Sequence, residues 1–195
     1  MQPVERSGRY RLVVPSQPLT ETPPATTRAK VESAVIWVAF ALYLVFLAKL
    51  LLFSRVPGSE RSLNLIPFAS IADYLGGPAA VRRFAFANLA GNILAFVPLG
   101  AYLTFLRRRA RVWGNLLVVA CVSVAVEILQ WVLAVGTSDI DDVILNVVGG
   151  LIGVLGVVGL RRALRFEVVR TVIAVASVLA VPVLVFLGFV VRLRM

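Results

Sequence analysis

Five stretches of this chain, residues 33–53, 88–106, 115–135, 143–160 and 168–191, are continuously apolar. Each is close to the ~20 residues with which a helix crosses a hydrocarbon core of ~30 Å. Without water, every backbone N–H and C=O has to be satisfied by protein, and a run of this length does so within itself as a spanning helix. A β-barrel would instead show short strands of alternating polarity. The expected fold is therefore all-α: a polytopic transmembrane helical bundle of about five spans in a single domain. Composition agrees, with 59% of the 195 residues hydrophobic and a mean hydropathy of +0.91.

Charge sets the expected orientation. Twenty Lys and Arg against ten Asp and Glu leave a net charge of +10. The arginines gather at span ends and the aromatic residues lie mostly inside the spans, a pattern of topology and lipid headgroups that calls for no nucleic-acid partner. RRRARVWG carries Arg107, Arg108, Arg109 and Arg111, and RRALRFE carries Arg161, Arg162 and Arg165. Both belong in the cytoplasm by the positive-inside rule, and Arg28 and Lys30 agree. The amino terminus is then cytoplasmic, while the loop 54–87 and the acidic turn 136–142 face outward. Arg192, Arg194 and four arginines of that loop run against the rule and are outweighed. Residues 1–32, with SQPLTETPPATT at their centre, read as a disordered cytoplasmic arm, and 33–195 as the membrane domain, with a motif core at 63–155. The first apolar run is too long for the core of a cleaved signal. Cys121, the single cysteine, lies inside a span and reads as packing, with no disulfide framework or thiolate cluster. No repeat suggests a transporter of two matching halves.

Polar side chains inside spans are costly and usually functional. Glu127 is the one carboxylate well inside an apolar run, ~12 Å from the end of its span at 1.5 Å per residue. Gln130 and Trp131, at i+3 and i+4, are expected on its side of the helix. Asn88 and Asn92 are i,i+4 partners at the start of the second span, and Asn146 lies one turn inside the fourth. Before it stand Asp139, Asp141 and Asp142, three of only ten acids in the chain. If the second, third and fourth spans pack together, these groups converge at one depth in the outer leaflet. A structural explanation stands beside this: Asn, Gln and Glu as interhelical glue, each worth about 0.6–2 kcal/mol, Asp139 as an N-cap, and Asp141 and Asp142 as first-turn acids. Gly149 and Gly153 form a G-x-x-x-G, extended by Gly150, Gly156 and Gly159, that permits close helix approach. Gly91, Pro98 and Gly100 interrupt the second span, with a kink expected at Pro98. In the outer loop, SLNLIPF leads to PAAVRRFAFANLAGN, which either lies along the headgroups with Arg82 and Arg83 on phosphates or leads helically into the second span.

The order LNLIPF, NLAGNILAFVPLG, EILQ and DIDDVILNVVGGLIG, over residues 63 to about 155, resembles the VanZ-like family of bacterial membrane proteins. The first and last spans match it only in hydrophobicity. The resemblance implies a multi-pass protein of the bacterial plasma membrane and an association with teicoplanin resistance, as for the family's eponym. Carried over position by position, the family's marked polar residues fall on Asn64, Asn92, Glu127, Gln130, Asp139, Asp141, Asp142 and Asn146. Many members have an arginine shortly before the acidic stretch, where this chain has Thr137 and Ser138.

Absences narrow the chemistry. Without any histidine, imidazole catalysis is excluded, and no G-x-x-x-x-G-K-[ST] loop is present for nucleotide hydrolysis. DIDD matches the D-x-D-D of terpene cyclases over four residues only, in a bundle too small for that fold. One class of function left is a non-catalytic protein that binds or shields a lipid-linked envelope precursor or a lipoglycopeptide. It would use Asn64, Asn88, Asn92, Glu127, Gln130, Asp139, Asp141, Asp142 and Asn146, with membrane lipids as neighbours. The other is an enzyme with Glu127 and Asp141 or Asp142 as catalytic candidates. No cofactor is evident beyond a candidate divalent cation on Glu127, Asp139 and Asp142. A scaffold in which the whole polar set is helix glue is the third reading.

Overall fold

The computed structural model describes residues 26–53, 62–107, 111–135 and 138–193. The reading of 1–25 as a disordered arm, and the expectations for Arg108, Arg109, Thr137 and Arg194, lie outside the described residues or, for Arg192, outside the described side chains. The elements are α1 (Thr27–Phe53), β1 (Leu63–Asn64), α2 (Ala69–Gly76), α3 (Ala79–Leu106), α4 (Val112–Val132), β2 (Ser138–Asp139), α5 (Ile140–Ala163) and α6 (Phe166–Leu193). All the helices except α2 are long and apolar enough to cross a membrane. The protein is an all-α membrane bundle with the five expected spans. Their outward faces carry large exposed apolar side chains such as Trp37, Val45, Leu117 and Val185, as a lipid-facing surface requires.

Span edges moved where polar residues continue a helix. Thr26 accepts a hydrogen bond on Oγ1 from Ala29 N and caps α1, so residues 27–32 are helical and not part of an arm. Helix α3 begins at Ala79, nine residues before the apolar run, so Arg82 and Arg83 ride a helical lead-in to the span. It passes unbroken through Pro98, although proline offers no N–H to Leu94 O. Cys121 faces outward from α4.

The centre of the bundle is α3 against α5, backbone on backbone. A Cβ at Gly149 would lie 2.1 Å from Ile93 O, one at Gly153 2.0 Å from Val97 O, and one at Gly100 2.0 Å from Gly150 O. Only glycine allows helices so close, which is the use the G-x-x-x-G spacing announced. Gly156 and Gly159 do not extend this surface; nothing lies within 4 Å of either. Phe96, Val119 and Val154 fill the space around the contact. Where α3 ends, Arg161 Nη2 donates to Phe105 O at 2.8 Å, supplying a donor to a carbonyl the helix leaves open. Helix α1 closes one side through Ile36, Tyr43 and Leu47, with Tyr43 OH donating to Ala95 O at 2.7 Å.

Gly153→Ala therefore forces α3 and α5 apart, at a cost of about 1–3 kcal/mol. Its melting temperature in detergent is expected to drop by several degrees, whereas Gly156→Ala should melt like the parent. Equal melting of the two variants would show that the backbone contact does not carry stability.

Candidate functional site

At the end of the bundle where α1 and α4 finish and α3 and α5 begin, two short strands pair in parallel, Leu63 with Ser138 and Asn64 with Asp139. Ser138 N donates to Ser62 O at 3.1 Å. Each strand is only two residues long, and side chains hold the pairing. Asn64 Nδ2 donates to Ser70 Oγ at 2.8 Å and to Asp139 Oδ1 at 3.2 Å, while its Oδ1 accepts from Ile66 N at 3.2 Å. Ser70 Oγ donates to the other oxygen of Asp139. Asp139 is also the N-cap of α5, accepting from Asp141 N at 2.9 Å. Its own N–H donates to Glu127 Oε2 at 3.0 Å, which ties β2 to α4.

Asp141 reaches in the opposite direction. Its two oxygens accept from Phe68 N and Ile71 N, the N–H groups at the start of α2. Phe68 is the N-cap position of α2, stands in the left-handed region at φ 66° and makes no cap bond with its side chain. Asp141 thus caps α2 from across the chain, satisfying donors a helix start leaves open and placing a negative charge at the positive end of its dipole. Asp142 accepts from Asn92 Nδ2 and bridges α5 to α3. One turn deeper, Asn146 Nδ2 donates to Ser123 Oγ at 2.9 Å, an α5–α4 link.

Most of the expected convergence is present, with the roles divided. Asn64, Glu127, Asp139 and Asp141 join the strands to α2, α4 and α5; Asn92 and Asp142 join α3 to α5; Asn146 meets Ser123. Gln130 does not turn toward this set: its Nε2 donates to Leu51 O at 2.8 Å, securing the end of α1. Trp131 is 43% exposed and leaves the face that holds the 5%-exposed Glu127. Among the described residues no three His, Cys, Asp or Glu side chains lie together as a metal site. Glu127, Asp139 and Asp142 are thus not grouped as such a site; Glu127 accepts from Asp139 N and Asp142 from Asn92 Nδ2.

Two cavities flank these bonds. The polar one, about 60 Å³, is lined by Ser70, Tyr74, Asn88, Asp139, Asp141 and Asp142 among others. The second, about 170 Å³, lies between Leu50 and Leu51 of α1 and Ala87, Gly91 and Ala95 of α3, and shares Asn88 with the first. Asn88, half-buried, has no hydrogen-bond partner among the described residues.

A family model described as VanZ/LLP1 matches residues 40–162. The chain belongs to the VanZ-like family. It is 32% identical over 155 residues to Protein VanZ of Enterococcus faecium, an alignment that covers 75% of this chain and 88% of that protein. No solved structure matches it. The VanZ-like match runs from the middle of α1 to the end of α5, so it includes every candidate from Asn64 to Asn146 and stops before α6.

Ser70, Tyr74 and Ser123 were not singled out from the sequence. Ser123 carried a signal, lying i−4 from Glu127 on one helix face. Ser70 and Tyr74 carried none, because their place depends on the strand pairing and on α2. Asp141→Ala in this VanZ-like chain removes both acceptors at the start of α2, and hydrogen bonds to a charged group contribute about 1.5–3 kcal/mol. Amide hydrogen exchange of residues 68–76 is expected to accelerate at least tenfold, with α3–α5 protection intact. Unchanged exchange would show that α2 is held by other contacts.

Proposed function

We propose that this protein binds or shields an amphiphilic envelope component, a lipid-linked wall precursor or a lipoglycopeptide, at the outer face of the bacterial plasma membrane, and that this binding underlies resistance of the teicoplanin type. The supporting observation is Asn88, an amide without a partner among the described residues, shared between a carboxylate-lined cleft and a groove with apolar walls. Each carboxylate has about four lone-pair sites. Asp141 uses two on α2 and Asp139 three on Asn64, Ser70 and Asp141 N, so acceptor capacity remains in the cleft. Acceptors of negative charge favour hydroxyl and ammonium donors and repel phosphate, which favours the lipoglycopeptide over a phosphate-bearing lipid-linked precursor. The ligand group that reaches into the cleft of about 60 Å³ is thus an amine or a hydroxyl edge of a sugar, with its acyl chain along the groove beside Leu50 and Ala95.

Losing one charge-assisted bond of about 1.5–3 kcal/mol corresponds to roughly 10–100-fold weaker binding. Asp142→Asn is expected to reach the membrane in normal amounts and lose that much affinity for teicoplanin in nanodiscs, together with protection of a sensitive host. Asn88→Leu should do the same, and a glycopeptide without an acyl chain should bind neither variant nor parent. Teicoplanin binding or protection that survives both substitutions would refute the proposal.

This reading places the acidic end outside and the arginine-rich end in the cytoplasm. In a Cys121→Ala background, an impermeant thiol reagent should label Ser62→Cys but not Leu164→Cys in intact cells. The reverse pattern would invert the topology and move the cleft away from the cell wall.

A further inference from the structure

The seam between α1 and α6, far from the acidic end, contains a second pair of aligned cavities. We infer that it is a binding site for one zwitterionic aminophospholipid, such as phosphatidylethanolamine, of the arginine-side leaflet. At the ends where both helices begin, a cleft of about 340 Å³ is lined by Thr26, Arg28, Glu167, Val168, Arg170 and Thr171. Farther along the seam lies a groove of about 340 Å³ with almost purely apolar walls, formed by Val35, Val38 and Leu42 of α1 and Val178 and Val181 of α6, among others. Thr171 stands seven residues before Val178, and Arg28 seven before Val35. At two helical turns, about 11 Å, each pair shares a face of its helix, so the polar cleft opens toward the apolar groove. Each cavity is within the ~300–1,000 Å³ of small-molecule sites.

The polar end is built to hold opposite charges. Glu32 accepts from Arg170 Nε at 2.7 Å and from Arg28 Nε at 2.9 Å, which pins α1 to α6 beneath the cleft. Arg28 spends one further N–H on Thr171 Oγ1 at 3.2 Å. A guanidinium has five N–H groups, so the others remain for a phosphate, and the Arg28 side chain is 73% exposed. Glu167, equally exposed, bonds Arg170 through Oε2, and its second oxygen has no partner among the described residues. An open cation and an open carboxylate on one cleft match a phosphate that carries a primary ammonium. An anionic headgroup would satisfy only the first, and a trimethylammonium cannot donate to the second. Among the described residues that line the groove, Ser177 alone carries a hydroxyl, and it is already engaged with Tyr102 and Ile173 O, which leaves the walls suited to an acyl chain.

Delipidated protein in detergent, mixed with phosphatidylethanolamine, phosphatidylcholine and phosphatidylglycerol of identical chains, provides the test, with bound lipid read by native mass spectrometry. The ethanolamine lipid should be retained severalfold over the other two. Arg28→Gln should lower retention of all three. Glu167→Gln, at an exposed position, should keep the melting temperature yet erase the preference for ethanolamine over choline, and Val38→Trp should reduce binding whatever the headgroup. Equal retention of ethanolamine and choline lipids, or tighter binding of the glycerol lipid, would overturn the inference. So would a seam that takes lipid only after residues 1–25 are deleted, since the chain's own amino-terminal segment would then be its occupant.

Discussion

The direct contact of α3 with α5 is the constraint on which the other arrangements rest. In hydrocarbon the apolar effect does not drive helices together, so close packing and polar links have to. With carbonyls of Ile93 and Val97 lying where side chains of Gly149 and Gly153 would otherwise be, the two helices approach at nearly the shortest range available. That approach lets two short side chains, Asn92 and Asp142, bridge them. A larger residue at either glycine would take that bridge out of reach.

The same end of the bundle solves a second problem, how to hold non-helical backbone next to a membrane. Strands β1 and β2 and the start of α2 expose N–H groups, and acids supply the missing acceptors: Glu127 for Asp139 N, Asp139 for Asp141 N, Asp141 for Phe68 N and Ile71 N. Irregular backbone at this depth is tolerated where protein satisfies it. Glue and site are therefore not exclusive alternatives. Glu127 acts within the frame and does not line the acidic cleft, whereas Asp139, Asp141 and Asp142 serve the frame and line the cleft together.

Legibility varied with the range of the interaction. Five spans, the glycine contact, Asp139 as a cap and the polar partners on α4 and α5 could be read because each follows a local period, of 3.6 residues or of apolar length. Trp131 and Gln130 show the limit of that rule. Both were placed with Glu127 by spacing, yet Gln130 found the end of α1 and Trp131 the exterior, since i+3 and i+4 lie on opposite flanks of position i, about 100° from each other around the helix axis. Gly156 and Gly159 had the right residue type but no helix opposite them. The lead-in of α3 was left open because Arg82 and Arg83 interrupt its short apolar stretch, and continuity with the span makes it helical.

What the sequence determined by itself was the class of the protein and the inventory of its polar groups, because burial in lipid demands long apolar runs and makes each interior Asn, Gln, Asp or Glu conspicuous. Which partner each group took was decided only in three dimensions. A pairing between residues 63–64 and 138–139, a cap given to α2 by an aspartate some seventy residues away, and the seam of Arg28, Glu32 and Arg170 all join segments distant in the chain. Hydrogen bonds act over about 3 Å, and no periodicity encodes which distant groups will come within that distance; it follows from how closely α3 and α5, and α1 and α6, pack.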